Sequence, residues 1–135
     1  MARSKRTHCP ISFALDIFGD KWSLLILRDL IFKDKVYYDD FAHSEEKIST
    51  NILAERLKRL KQEGFIRSTP NKENLRKIIY TPTSKSLDLI PMLLEIINWS
   101  AKYDAKTAAP KEFLKMLKND RKALARQLRS KFKKI

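Results

Sequence analysis

At 135 residues, 43% of them hydrophobic and 33% charged, the chain has the length of one ordinary domain and can bury a core without staples. Only two glycines favour helix over a loop-rich or all-β design, and a lone cysteine, Cys9, excludes an intramolecular disulfide framework and fits a reducing compartment. A formal charge of +13 points to polyanionic partners, but residues 106–135 alone hold 11 basic against 2 acidic side chains, so the rest of the chain is only mildly basic.

The start, MARSKRTHCP, is basic, yet no apolar run of about 7–15 residues with a cleavage site follows it, and none approaches the ~20 residues of a spanning helix. A cytoplasmic protein with no membrane partner is expected. Pro10 suits the first turn of a helix over 10–18, with Ile11, Ala14, Leu15 and Phe18 at helical spacing before Gly19. Asp20 can cap a second helix whose Trp22, Leu24, Leu25, Ile26, Leu27, Leu30 and Ile31 are apolar almost all round, the pattern of a central buried element. After the polar KDK turn, VYYDDFAH offers a strand-like start and a brief third helix on Tyr38 and Phe41.

The stretch ISTNILAERLKRLKQEGFI then reads as a helix over 49–63. Ser49 is a good N-cap, Ile52 or Leu53, Leu57 and Leu60 make one apolar stripe, and Gly64 is placed to close the helix in the left-handed region. That orientation turns Ser49, Thr50, Asn51, Glu55, Arg56 and Arg59 outward. Two extended runs, 65–69 and 77–81, flank the turn-rich PNKENLR and predict a hairpin with a charged tip. Three helices followed by a hairpin make a winged helix, whose last helix before the hairpin enters the major groove. The fold class expected is therefore mainly α with a small β-hairpin, a winged helix-turn-helix DNA-binding fold with added N- and C-terminal dimerisation helices.

From Thr83 the apolar spacing of Leu87, Ile90, Leu94, Ile97, Trp99 and Tyr103 predicts one long helix over 83–104, bent at Pro91. Exposed stripes of this kind mark partner surfaces, a symmetry mate being the simplest partner. Ile11, Leu15, Trp22, Leu94, Ile97 and Trp99 are the expected dimer contacts. TAAPK interrupts the pattern, and a last helix over 110–132 carries Phe113, Leu117, Leu124, Leu128 and Phe132 on one side and basic residues on the others. The expected division is a domain over 1–105 and a basic amphipathic tail over 106–135, which could lie on a membrane, wrap DNA or, as the preferred reading, dock on a partner subunit.

Several separated stretches, in order, resemble the HxlR family of prokaryotic winged-helix transcription regulators. CPISFALDIFGDKWSLLIL at 9–27 is similar to the family's Cys-Pro, Gly-x-Lys-Trp and buried-helix signature, and YYDDFAH to its Phe-Ser-Glu-Leu segment. ISTNILAERLKRLKQEGFI resembles its recognition helix, and YTPTSKSLDLIPMLLEIINW its Tyr-x-Leu-Thr and Leu-x-Pro-x-Leu ending in Trp. The resemblance spans about residues 8–103. Ser86 replaces a usual glycine, the wing lacks the usual proline-rich acidic tip, and residues 106–135 fall outside it.

The resemblance implies a homodimeric, sequence-specific transcription regulator with helix 49–63 in the major groove and the wing, 65–81, beside it. Ser49, Thr50 and Asn51 can reach base edges or phosphates, Asn51 pairing with adenine; Arg56 can read guanine or clamp a phosphate; Glu55, Arg59, Lys72 and Arg76 complete the expected DNA contacts. An ordinary solvated surface helix is the alternative for any one of them. Some family members sense oxidants through a cysteine at the Cys-Pro position, so Cys9, at a helix N-terminus beside His8 and close to Arg6, is a candidate redox sensor; lone cysteines are also commonly inert. Two-fold symmetry implies a pseudo-palindromic operator on double-stranded DNA. The competing class is an architectural or scaffolding protein whose basic tail binds nucleic acid without choosing sequence. His8 and His43 have no ligand spacing, and no nucleophile, paired carboxylates or phosphate loop is visible, so neither an enzyme nor a metal or other cofactor is expected.

Overall fold

The computed structural model describes residues 7–132; the basic start with Arg6, and residues 133–135, lie outside that description. Two compact units form, one ending at Thr83 and the other beginning at Ser84.

The first unit follows the expected order: α1 (Pro10–Phe18), α2 (Lys21–Phe32), α3 (Tyr38–Ala42), α4 (Thr50–Gln62), β1 (Ile66–Pro70) and β2 (Ile78–Pro82). Its core is α2's Ile26, Leu27, Leu30 and Ile31, joined by Phe41 of α3, Leu53, Leu57 and Leu60 of α4, and Phe65 and Ile66 at the entry to the hairpin, all buried. At roughly 1.5–3 kcal/mol for each fully buried large side chain, this cluster is the main source of cohesion. Gly64, at φ 82°, closes α4 and turns the chain directly into β1. The strands pair antiparallel, with Arg67 opposite Thr81 and Thr69 opposite Ile79. The strand-like start of VYYDDFAH adds a bridge from Tyr37 to Ile79, and the Tyr80 N–H donates to the Val36 carbonyl at 2.8 Å.

A tight turn joins α1 to α2. The Gly19 N–H donates to Leu15 O at 2.7 Å, and a Cβ on Gly19 would collide with that same oxygen. Asp20 follows and caps α2 as expected, its Oδ2 accepting from the N–H groups of Trp22 and Ser23 at 2.9 Å each. The Ser23 hydroxyl, buried, donates to Asp20 Oδ1 at 2.7 Å. From α4, Arg59 Nη2 donates to Asp20 Oδ1 at 2.6 Å and Arg56 Nε to Oδ2 at 3.1 Å. Arg59 also reaches Ser23 Oγ at 2.6 Å and the Ile17 carbonyl at 3.4 Å. Burial works to raise the Asp20 carboxyl, but the hydroxyl and N–H of Ser23 and the two guanidinium groups outweigh it and hold the group well below the usual carboxylate range.

The second unit corrects two helix boundaries. The long helix expected over 83–104 is two, α5 (Ser84–Leu87) and α6 (Ile90–Tyr103). Pro91 has no N–H for the carbonyl four residues earlier, and its ring crowds that carbonyl, so it opens a new helix in the first turn of α6 instead of bending an old one. Ser86, where the family usually has glycine, is fully buried within α5. The helix expected over 110–132 is also two, α7 (Lys111–Asn119) and α8 (Arg121–Ser130). Asp120 breaks it with an extended backbone, φ −153° and ψ 77°, and its carboxylate caps α8 through the Ala123 N–H at 3.0 Å.

Both helices pack against α6 and each other, with Leu117 and Leu124 buried. Arg121 donates to Glu95 at 2.7 Å and Arg129 pairs with Asp88 at 3.0 Å. The tail is therefore an integral layer of the second unit, its apolar side used within its own chain. Leu94, expected on the dimer surface, is fully buried as well.

Replacing Asp20 by Ala removes the cap of α2 and leaves two guanidinium groups without their shared partner. The expected loss is about 2–4 kcal/mol in denaturant unfolding at neutral pH. Because the folded-state pKa is depressed, the stabilisation is fully present above the ordinary carboxylate range and is lost as pH falls below about 4. Unfolding measured against pH should show the wild-type chain losing stability steeply below that point and Asp20→Asn much less; parallel acid profiles would refute the assignment.

Candidate nucleic-acid interface

The outward side of α4 begins at its cap. Ser49 Oγ accepts from the Ile52 N–H at 3.3 Å, and Thr50, Asn51, Ala54, Glu55 and Lys58 are exposed. Short polar groups at a helix N-terminus, with free backbone N–H groups behind them, suit phosphate and base-edge contacts. Ser49, Thr50 and Asn51 thus stand together at one end of α4, as the sequence pattern implied.

Arg56 and Arg59 stand elsewhere. Their side chains are only about one-fifth exposed and converge on Asp20, 36 and 39 residues away in sequence. Arg56 also touches Glu55, and its guanidinium is held above its ordinary value, the hydrogen bonds and charges of Asp20 and Glu55 prevailing over burial. Neither arginine is presented as a free cation. Glu55 is exposed and shared with Arg56. The two arginines expected at DNA therefore serve, in this structure, to fix the rotation of α4 about its axis.

The wing supplies exposed charge. Lys72, Arg76 and Lys77 are exposed around a turn organised by two asparagines: Asn71 Oδ1 accepts from the N–H of Glu73 at 2.8 Å, and Asn74 Oδ1 from that of Arg76 at 3.1 Å. Asn71 N–H bonds Lys77 O at 2.8 Å, closing the tip. Leu75 lies among these cations, 73% exposed.

Two adjacent tyrosines tie both parts to the start of α3, and neither was singled out for this by the sequence. The Tyr37 hydroxyl accepts from Asn71 Nδ2 at 2.8 Å, while Lys77 Nζ stands 5.1 Å from its ring centre. Tyr38 Oη donates to the Thr50 carbonyl at 3.2 Å. Asp40 holds this start in place, accepting from the N–H groups of Val36 and Tyr37 at 3.2 and 3.0 Å. The only local signal was the doubled tyrosine before an acidic pair.

Of the expected dimer contacts, Ile11 and Leu15 on α1 are 72% and 59% exposed, and Trp99 on α6 is 63% exposed beside Tyr103, with ring centres 5.2 Å apart. Ile97 is half-buried, and Trp22 lines a small cleft with Leu25, Phe41 and Ile48. Cys9 is exposed at the N-cap of α1. Among the described residues no group of three or more His, Cys, Asp or Glu is placed to hold a metal ion, and no helix is long and apolar enough to cross a membrane.

The geometry agrees with what the chain is similar to. It is 32% identical over 95 residues to YdeP of Bacillus subtilis, an uncharacterized HTH-type transcriptional regulator, covering 70% of this chain and 73% of YdeP. It is 31% identical over 98 residues to the HTH-type transcriptional regulator YodB of the same organism, covering 72% and 87%. Reduced YodB superposes with a TM-score of 0.57 at 27% identity over 73% of this chain and 96% of that one, and YodB has also been solved quinone-bound and diamide-treated. The crystal structure of PA1607 matches with a TM-score of 0.67 at 33% identity, over 78% and 70% of the two chains. A family profile described as HxlR-like helix-turn-helix matches residues 17–108, and with a winged helix whose α4 and wing are held ready for DNA, the chain belongs to the HxlR-like helix-turn-helix family of transcription regulators.

Proposed function

We propose that this DNA-binding transcription regulator works in the cytoplasm as a homodimer on a two-fold operator, each copy laying α4 in the major groove and its wing beside it. The observation that carries the reading is the division of labour on α4. Its arginines are spent on Asp20, while Ser49, Thr50 and Asn51 are exposed at the N-terminal end, and Tyr37 and Tyr38 link that end and the cationic wing to one short helix. Asn51 suits a bidentate pair with adenine, and Ser49 and Thr50 suit phosphate or base-edge contacts. Lys72 and Arg76 meet the adjacent backbone or minor groove. Arg56, Arg59 and Glu55 are assigned to positioning. Exposed Ile11, Leu15 and Trp99 supply apolar surface that a second copy would cover.

A selection of bound fragments from random or genomic DNA at near-physiological salt tests this reading. The expected product is a two-fold motif with half-site centres about 34 Å apart, or a multiple of that. Asn51→Ala is expected to cost about 1–3 kcal/mol on the selected site and to relax preference at one base position per half-site. Recovery of no motif would move the protein to the architectural class, and an unchanged preference in Asn51→Ala would remove that residue from base reading.

A thiol input is the second part of the proposal, favoured by the exposure of Cys9 and by the quinone-bound and diamide-treated forms of the relative YodB. The thiol stands at the head of α1, among the apolar residues assigned to the dimer. Quinone treatment is expected to add one mass increment at Cys9 and to change operator affinity by at least about tenfold, with no effect on Cys9→Ser. Equal responses of the two proteins would eliminate the sensor.

A further inference from the structure

The basic residues of the last two helices fall into a repeated order. Lys111, Lys115 and Lys118 stand at i, i+4 and i+7 on α7, and Lys122, Arg126 and Arg129 repeat that spacing on α8 eleven residues later. At about 100° per residue, each trio occupies an arc of roughly 60° on its helix. Phe113 and Leu117 on α7, and Leu124 and Leu128 on α8, fall outside those arcs, and Leu117 and Leu124 are buried. Arg129 is engaged with Asp88, but Lys111, Lys115, Lys118, Lys122 and Arg126 are exposed and have no ion pair or hydrogen bond among the described residues. The row lies beyond residue 108, where the family match ends.

We propose that this row is a second DNA-contact surface, which holds phosphates flanking the operator without reading bases. The inference rests on the DNA-binding reading above and adds to it a surface that the matched domain does not contain. Unpaired ammonium and guanidinium groups at regular helical spacing complement a polyanion. A helix that lies on a bilayer needs an apolar face to bury in it, and here Leu117 and Leu124 are already buried within the chain. The arc that faces water on each helix carries the cations, which suits phosphates.

The test is the full chain carrying Lys115→Gln, Lys118→Gln, Lys122→Gln and Arg126→Gln together. These side chains make no polar contact among the described residues, so circular dichroism and thermal unfolding should match the unsubstituted protein. Affinity is measured against salt on the selected operator extended by about one helical turn on each side, and on a random duplex of equal length. The expected result is a slope of log affinity against log salt shallower by about 3–4 per bound protomer, with equal loss on both duplexes and an unchanged operator-to-random ratio. An unchanged slope overturns the proposal. An unchanged slope together with release of the variant from phosphatidylserine vesicles assigns the row to a membrane surface and also overturns it. Failure of the underlying DNA reading shows separately, as absence of operator preference in the unsubstituted chain.

Discussion

One carboxylate, placed where α1 gives way to α2, governs how α4 is presented. Asp20 accepts from two backbone N–H groups of α2, one buried hydroxyl and two guanidinium groups of α4. A helix packed by leucines alone can roll or slide by small amounts at modest cost, since apolar contact is not directional. Hydrogen bonds from Arg56 and Arg59 to a single carboxylate are directional, and both arms must be satisfied at once. Gly19 makes the turn tight enough to bring the carboxylate there, since any side chain at that position meets the Leu15 carbonyl. Part-buried ion pairs pay a desolvation cost that offsets much of their attraction, so this cluster sets a register as well as contributing the pH-dependent stability of the ionised Asp20.

The consequence for function follows from helical geometry. With Leu53, Leu57 and Leu60 against the core and the two arginines turned to Asp20, the cap residue and the first turn of α4 remain on the outside. Tyr38 then links that first turn to α3, and Tyr37 links the wing to the same residue pair. Recognition helix and wing thus share one support, and a rigid support preserves the spacing between groove contacts that sequence selectivity needs.

Most of the first unit was legible because its signals are local. Ser49, Gly64 and Pro10 mark helix ends by their own chemistry, and the period of Leu53, Leu57 and Leu60 fixes which face is buried. The contacts of Arg56 and Arg59 were not legible for the opposite reason: Asp20 is nearly forty residues away, and an arginine off an apolar stripe looks the same whether it meets solvent, DNA or a carboxylate. The burial of Leu94 was not legible because apolar spacing identifies a stripe without saying which of its members the chain itself covers. The two helix breaks had local signals, Pro91 and the Asn119–Asp120 pair, but continuous apolar periodicity across them outweighed those signals. That continuity reflects burial on both sides of each break, at Leu87 and Ile90 and at Leu117 and Leu124.

The most direct test of the central claim is the side-chain Nε–H spectrum of Arg56 and Arg59, recorded with the backbone amides of residues 49–51 before and after adding the selected duplex. The account predicts guanidinium signals that are sharp and protected in the free protein and hold their positions on the duplex, while the amides of Ser49, Thr50 and Asn51 move. Large shifts at Arg56 and Arg59, with residues 49–51 unmoved, would show that the arginines leave Asp20 for DNA and would contradict it.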